Sequence, residues 1–199
     1  MKLSELPEPS TSAARAALAV ATRYHSPALL HHSARSYLWG AAMAAAEGID
    51  HDAELLYVSA LMHDLGLVPA FDSHTLPFED AGGQVAWVLG AGAGWTPARC
   101  DRAAQVIVAP MRDAVAAEVD PESSLLHRST GLDISGRGVE AVPADLRAEV
   151  LRRWPRLDLA AEFGACFADQ AARKPTSAAA SAVRSGMADR MASNPLERG

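Results

Sequence analysis

His63 and Asp64, adjacent in the run Leu61-Met62-His63-Asp64-Leu65-Gly66, put an imidazole and a carboxylate side by side at the end of a hydrophobic segment. Once buried, either group is costly unless it is hydrogen-bonded, paired or bound to a metal. Leu55, Leu56, Val58, Leu61, Met62 and Leu65 leave the segment little polar face, so residues 52–65 read as a buried helix stopped by Gly66 and Pro69. Neighbouring helical residues are about 100° apart. An ion reached by both must therefore sit between them, with further ligands arriving from elsewhere. His32 and Asp133 are the candidates, since aspartate is a poor helix-interior residue unless it has a partner. His32, His63, Asp64 and Asp133 together make a nitrogen and oxygen set suited to a borderline divalent metal. His31 competes with His32 in sequence, but about 100° of helix separates them, so only one faces inward.

Other side chains able to take part in chemistry lie around this set. Arg35 shares a face with His32, Ser36 and Trp39, and either meets a substrate or pairs with a carboxylate. His74 and Glu79 flank the pair as proton-handling groups, or else are an exposed loop histidine and a first-turn helix glutamate. His127 stands six residues before Asp133, about 240° around a helix, which favours a structural role over a shared ion. Trp39 and Trp87 read as core, and Cys100 and Cys166 as inert small hydrophobes.

The elements that must position these residues are helices. Apolar residues recur at three- and four-residue spacing, alanine is abundant and aromatics make up only 6% of the chain. The fold class is all-α. Residues 1–10, with Pro7 and Pro9, read as a loose arm, and Ser10, Thr11 or Ser12 caps a first helix to about residue 25. Pro27 breaks it, a second helix covers 28–47, and Gly48 stops that one. The segment 67–77 reads as a loop, 78 to about 90 as a helix, and Gly90 to Gly94 as a joint. Thr96-Pro97 opens a helix that meets Pro110, and Asp120-Pro121-Glu122 opens another to about Ile134. Helices near 143–154 and 158–173 follow. Residues 11–177 thus form one helical domain, and 178–199 are an alanine-rich tail that either packs as a helix or trails.

A chain of 199 residues suits one domain with a real core. Its net charge of -6 supplies no basic stripe for nucleic acid or an anionic membrane. The expected partner is a small molecule or another copy of the chain, as a homo-oligomer. Two cysteines fit a reducing cytoplasm rather than a disulfide framework, and no apolar run reaches membrane-spanning length.

His32, His63-Asp64 and Asp133, in this order, resemble the HD-domain superfamily of metal-dependent hydrolases. The segments His31-His32-Ser33 to Gly40, Leu55-Leu56-Tyr57 to Leu67, Phe78-Glu79 to Gly83, Leu132 to Gly136 and Lys174-Pro175 are similar to its cyanamide hydratase-like branch, over roughly residues 28–177. The resemblance implies a compact helical bundle around one divalent ion, zinc first, with iron, manganese or nickel as alternatives. It implies His32, His63, Asp64 and Asp133 as ligands, with Asp64 also accepting the proton of an activated water added to a small substrate; Arg35, His74 and Glu79, from their positions in the sequence, complete the catalytic candidates. Many relatives carry a further histidine where this chain has Pro110. Its loss removes a candidate for a second metal or a substrate proton, and the proline is expected to end its helix.

A nitrile-like, weakly charged substrate is expected first. Phosphate chemistry would need cations, and Arg35 and Lys174 are those in matched segments. A phosphohydrolase and a non-catalytic binding module are the alternatives, with a mixed-valent iron oxygenase further off because it calls for more histidines.

Overall fold

The computed structural model describes the backbone over residues 1–112 and 115–198. The described residues are all-helical. The α-helices are α1 (Ser12–Tyr24), α2 (Pro27–Glu47), α3 (Ala53–Met62), α4 (Phe78–Gly92), α5 (Pro97–Arg112), α6 (Pro121–Ser135), α7 (Ala144–Arg153), α8 (Leu159–Arg173), α9 (Ala178–Arg184) and α10 (Met187–Ala192). Short 3-10 turns occupy Leu3–Glu5, Leu65–Leu67, Val139–Ala141 and Pro195–Arg198. No helix among the described residues is long and apolar enough to cross a membrane.

The helix starts follow from local chemistry. Thr11, Ser26, Asp52 and Asp120 each accept, through the side chain, a backbone N–H of the first turn, and Pro27 and Pro121 open α2 and α6. Helices α2 and α6 end at Gly48 (φ 68°) and Gly136 (φ 72°), left-handed positions that glycine adopts without a Cβ penalty. Helix α2 runs through the middle of the molecule, packed against α3, α6 and α8. It buries His32, Arg35, Ser36, Trp39 and Met43 along one helical stripe.

Four expectations need correction. Helix α3 ends at Met62, not at residue 65, so His63 and Asp64 sit in a break before the 3-10 turn. Helix α5 runs two residues past Pro110, to Arg112, so the proline does not end it, and its side chain lies outside the described residues. Trp87 is 37% exposed rather than core, because its Nε1 donates to Asp101 Oδ1 at 2.8 Å on the surface. The N-terminal arm is anchored rather than loose, and of the two readings of the C-terminal segment the packed one holds over residues 178–198. Leu6 is buried, the Tyr37 hydroxyl donates to Pro7 O at 2.6 Å, and Glu149 accepts Leu3 N–H at 3.1 Å. At the other end Met187, Met191, Asn194 and Leu196 are all buried against the bundle.

Two close backbone approaches fix the His63-Asp64 break. A Cβ on Gly66 would lie 2.0 Å from Phe78 O, and one on Gly82 would lie 2.8 Å from His63 O. Only hydrogen fits at either position, so the start of α4 lies directly on the turn that carries the pair.

Candidate metal centre

His63 is the C-cap of α3, still with right-handed helical angles, while Asp64 has turned to φ -99° and ψ 5°. This break removes the helical separation expected of neighbouring residues, and His63 Nε2 comes within 3.2 Å of Asp64 Oδ2. From α2, His32 Nε2 reaches within 3.2 Å of His63 Nε2 and 3.4 Å of Asp64 Oδ2. His32, His63 and Asp64 each offer one ligand atom, all within 4.8 Å of one another. His32 and Asp64 are fully buried and the His63 side chain is 11% exposed. His31 points away, its Nδ1 at 2.8 Å from Pro155 O, so His32 is the inward residue.

The other nitrogen of each ring decides what faces the centre. His32 Nδ1 lies 2.7 Å from Asp133 Oδ2, and His63 Nδ1 lies 2.8 Å from Ala60 O. A carboxylate and a carbonyl only accept, so both Nδ1 atoms carry hydrogen. Both Nε2 atoms are then left with lone pairs aimed at the same point as Asp64 Oδ2, which makes no hydrogen bond among the described residues. Three electron-rich atoms converge there. They require a cation or a proton between them.

Protonation follows this field. Burial disfavours a charged His63, but Asp64 beside it, the Ala60 carbonyl and Asp133 outweigh that, and its pKa is raised. Burial works against the Asp64 carboxylate too, yet His63, His32 and His25 hold its pKa below the usual range. His32 goes the other way: burial outweighs the favourable Asp133 contact and lowers its pKa. A proton in the metal-free site is therefore held more readily by His63 than by His32.

Asp133 is not one of the converging ligands, contrary to the sequence expectation. Its oxygens are held by Arg35 Nε and Nη2 and Trp39 Nε1, each at 2.8 Å, besides His32. Despite burial, the Arg35 charge and these donors keep its pKa well below the carboxylate norm. Arg156 Nη1 and Asn194 Nδ2 also fix its backbone carbonyl, at 2.7 and 2.8 Å. Asp133 stands behind His32 and sets its tautomer.

The expected catalytic set divides. Asp64 lies at the centre. Arg35 is fully buried with its donors spent on Asp133, Trp154 O and Pro155 O, so it positions Asp133 and does not reach a substrate. His74 is exposed in the loop before α4, Glu79 is buried in the first turn of α4, and neither lines the cavity over the centre. Lys174 is held by Gln170 Oε1 at 2.7 Å and Asp72 Oδ1 at 3.1 Å, away from that cavity.

The cavity, about 410 Å³, opens from His32, His63 and Asp64 between α6, α8 and the C-terminal helices. Phe163 and Phe167 stack with centroids 4.4 Å apart, Phe78 meets Phe167 at 5.2 Å, and the rings of Phe163 and His32 meet edge-to-face with centroids 5.6 Å apart. These rings wall the deep end. His127, read from sequence as structural, lines the cavity and accepts a hydrogen bond from Arg137 Nη2 at 3.1 Å.

His25 was missed by sequence reasoning. It is the C-cap of α1, only 8% exposed, and neither ring nitrogen has a hydrogen-bond partner among the described residues. Burial lowers its pKa to about 4, opposed by Asp64 and helped by His63 and His32, so it lies within the field of the centre. A histidine in a two-residue link between helices carries no spacing signal, because the link's geometry alone turns it inward. A scan against protein-family models and a search of curated proteins both find no match to the chain.

Proposed function

We propose that the protein is a metal-dependent hydrolase or hydratase that adds water to a small organic molecule in the cavity over His32, His63 and Asp64. The observation that carries this reading is the convergence of two imidazole Nε2 atoms and Asp64 Oδ2 with their lone pairs on one buried point. Two nitrogens and one oxygen suit zinc first, and leave coordination positions open towards the cavity. Bound there, a divalent ion would polarise the substrate and lower the pKa of water. The chain's own residues do the rest. Asp133 and Arg35 hold His32 in the tautomer that presents Nε2, and the Ala60 carbonyl does the same for His63. Asp64 is placed to accept a proton from water at the same point. Phe163, against His32, excludes bulk water from the deep end.

The resemblance of these segments to HD-domain hydrolases supports the same reading. Arg35 and Lys174, the cations expected for phosphate chemistry, are both held by carboxylates of the fold, so a phosphohydrolase would need other cations of the cavity. The test is elemental analysis of protein purified without chelators or a metal-binding tag, beside Asp64→Ala and His63→Ala variants checked for helicity. About one equivalent of zinc, iron, manganese or nickel in the parent and its loss in both variants is the expected result. No metal in the parent after reconstitution with each of these ions overturns the reading and leaves a metal-free binding module.

A further inference from the structure

We infer that the cavity selects a substrate with an apolar body and an anionic end group, the anion being held at the mouth by Arg137 and Arg190. The inference rests on the proposed function only in placing the reacting end of the substrate at His32, His63 and Asp64. The recognition itself is carried by other residues.

The cavity is graded from one end to the other. Its deep end is walled by the Phe163–Phe167 stack and Phe78, with Ile134 and Met187 continuing the apolar surface outward. About 410 Å³ is within the range of sites that enclose a small organic ligand. His32 and Asp64 are fully buried, whereas Arg137 and Arg190 are exposed, so the guanidinium groups mark the mouth. Arg137 follows the Gly136 cap of α6, and Arg190 comes from α10, so two separate elements each bring an arginine to the one opening.

Neither arginine is neutralised by the fold. Arg137 Nη2 donates to the imidazole of His127 at 3.1 Å, and Arg190 donates to the Ser185 carbonyl and, at 3.2 Å, to Ser185 Oγ. Among the described residues no carboxylate pairs with either, and Asp64, at the far end, is the one carboxylate that lines the cavity. The buried Arg35 and Arg156 are each spent on a carboxylate. Arg137 and Arg190 therefore make a positive mouth on a chain whose net charge is -6. Guanidinium groups bind carboxylate or phosphate oxygens through paired N–H donors, so either anion satisfies the site. At an exposed mouth such pairing is screened, and the selectivity it confers is modest.

The experiment uses a matched pair of probes, 4-phenylbutyrate and its neutral amide, titrated calorimetrically into the full chain after metal removal by chelator. The metal-free protein is used so that a carboxylate cannot bind through an ion, and so that the outcome does not depend on whether the protein holds metal. The expected result is about fivefold tighter binding of the butyrate than of the amide. The ratio falls to about one in the Arg137→Gln/Arg190→Gln double variant, with the affinity for the amide unchanged. Phenyl phosphate in place of the butyrate reports whether phosphate or carboxylate is preferred. Equal binding of butyrate and amide by the parent overturns the inference, as does a preference for the anion that survives the double substitution. No binding of the butyrate at millimolar concentration overturns it too. Loss of metal binding in the Asp64→Ala variant, with the anion preference intact, would separate the two sites experimentally.

Discussion

Asp133 Oδ2 receives the Nδ1 hydrogen of His32 at 2.7 Å while Arg35 Nη2 donates to the same oxygen at 2.8 Å, so one carboxylate both orients the imidazole and neutralises a buried guanidinium. Arg35 and Asp133 are both fully buried. Removing one member of such a pair leaves a charge without water or partner, which costs about 3–5 kcal/mol. The Asp133→Asn variant is expected to lose stability on that scale. In the fraction that folds, zinc affinity should drop roughly 10–100-fold, because the hydrogen bond fixing Nε2 as the donor atom is weakened. Zinc titration, with imidazole nitrogen chemical shifts to read the His32 tautomer, tests this. Unchanged zinc affinity in folded Asp133→Asn would remove Asp133 from any role behind His32.

Gly66 tests the mechanical side of the same centre. A methyl group added there would lie 2.0 Å from Phe78 O, and a backbone carbonyl cannot swing aside as a side-chain end can. Either α4 or the His63-Asp64 turn must shift. The Gly66→Ala variant should lose about 1–3 kcal/mol, the range for forcing atoms into a packed interior. Its metal affinity should fall as well, since the turn brings His63 and Asp64 together. Thermal melts with and without zinc would show a smaller metal-induced rise in Tm than in the parent.

His32, His63 and Asp64 were legible because a buried imidazole and carboxylate stand out on apolar helices, and the cap residues fixed most helix starts. Asp133 was legible as a residue in need of a partner, but not as a residue behind a ligand. That distinction depends on Arg35 and Trp39 reaching it from α2, across residues far apart in sequence. The His63-Asp64 break is hidden in the sequence because the apolar pattern runs on through Leu65. Stopping α3 at Met62 is a tertiary effect of α4 lying against Gly66 and Gly82. Arg137 and Arg190 carried no signal, since surface arginines are common and only the packing of α10 beside α6 brings them to one cavity.

His25 predicts an acid limb to stability in the metal-free protein. Its pKa falls from 6.5 unfolded to about 4 folded, chiefly through burial, with Asp64, His63 and His32 the charged groups that act on it. Below pH 6.5 the unfolded chain takes up this proton while the folded chain does not. Its contribution is therefore fully present above pH 6.5 and is lost as pH falls towards 4. The interval corresponds to about 3 kcal/mol. His63, whose pKa is raised, contributes in the opposite sense, so the informative quantity is the difference between the parent and His25→Leu. Replacing a buried imidazole without partners by an apolar side chain should leave stability at pH 7 unchanged or improved. Denaturant titrations at several pH values should show a shallower acid limb in the variant. Parallel limbs would mean that His25 is protonated or solvated in the folded chain.

The C-terminal segment is a structural part of the centre. Asn194 is fully buried, and its Nδ2 donates to Asp133 O at 2.8 Å while its Oδ1 accepts Leu196 N–H at 2.9 Å. The side chain thus ties the last turn of the chain to the helix that carries Asp133. In Asn194→Ala the Leu196 N–H loses its acceptor in a buried setting, a cost of about 1–3 kcal/mol, while Asp133 O keeps Arg156 Nη1. The Leu196 amide and the Pro195 ring, which packs close to Gly136, would be released together. Hydrogen exchange should then show faster opening over residues 187–198, while protection of α3 and α5 stays near that of the parent. Because Arg190 lies in the freed segment and the Phe163–Phe167 stack does not, the same variant should weaken binding of 4-phenylbutyrate more than binding of the amide. Uniform loss of protection across the chain would instead make the segment part of the global core, with no separate role in shaping the cavity mouth.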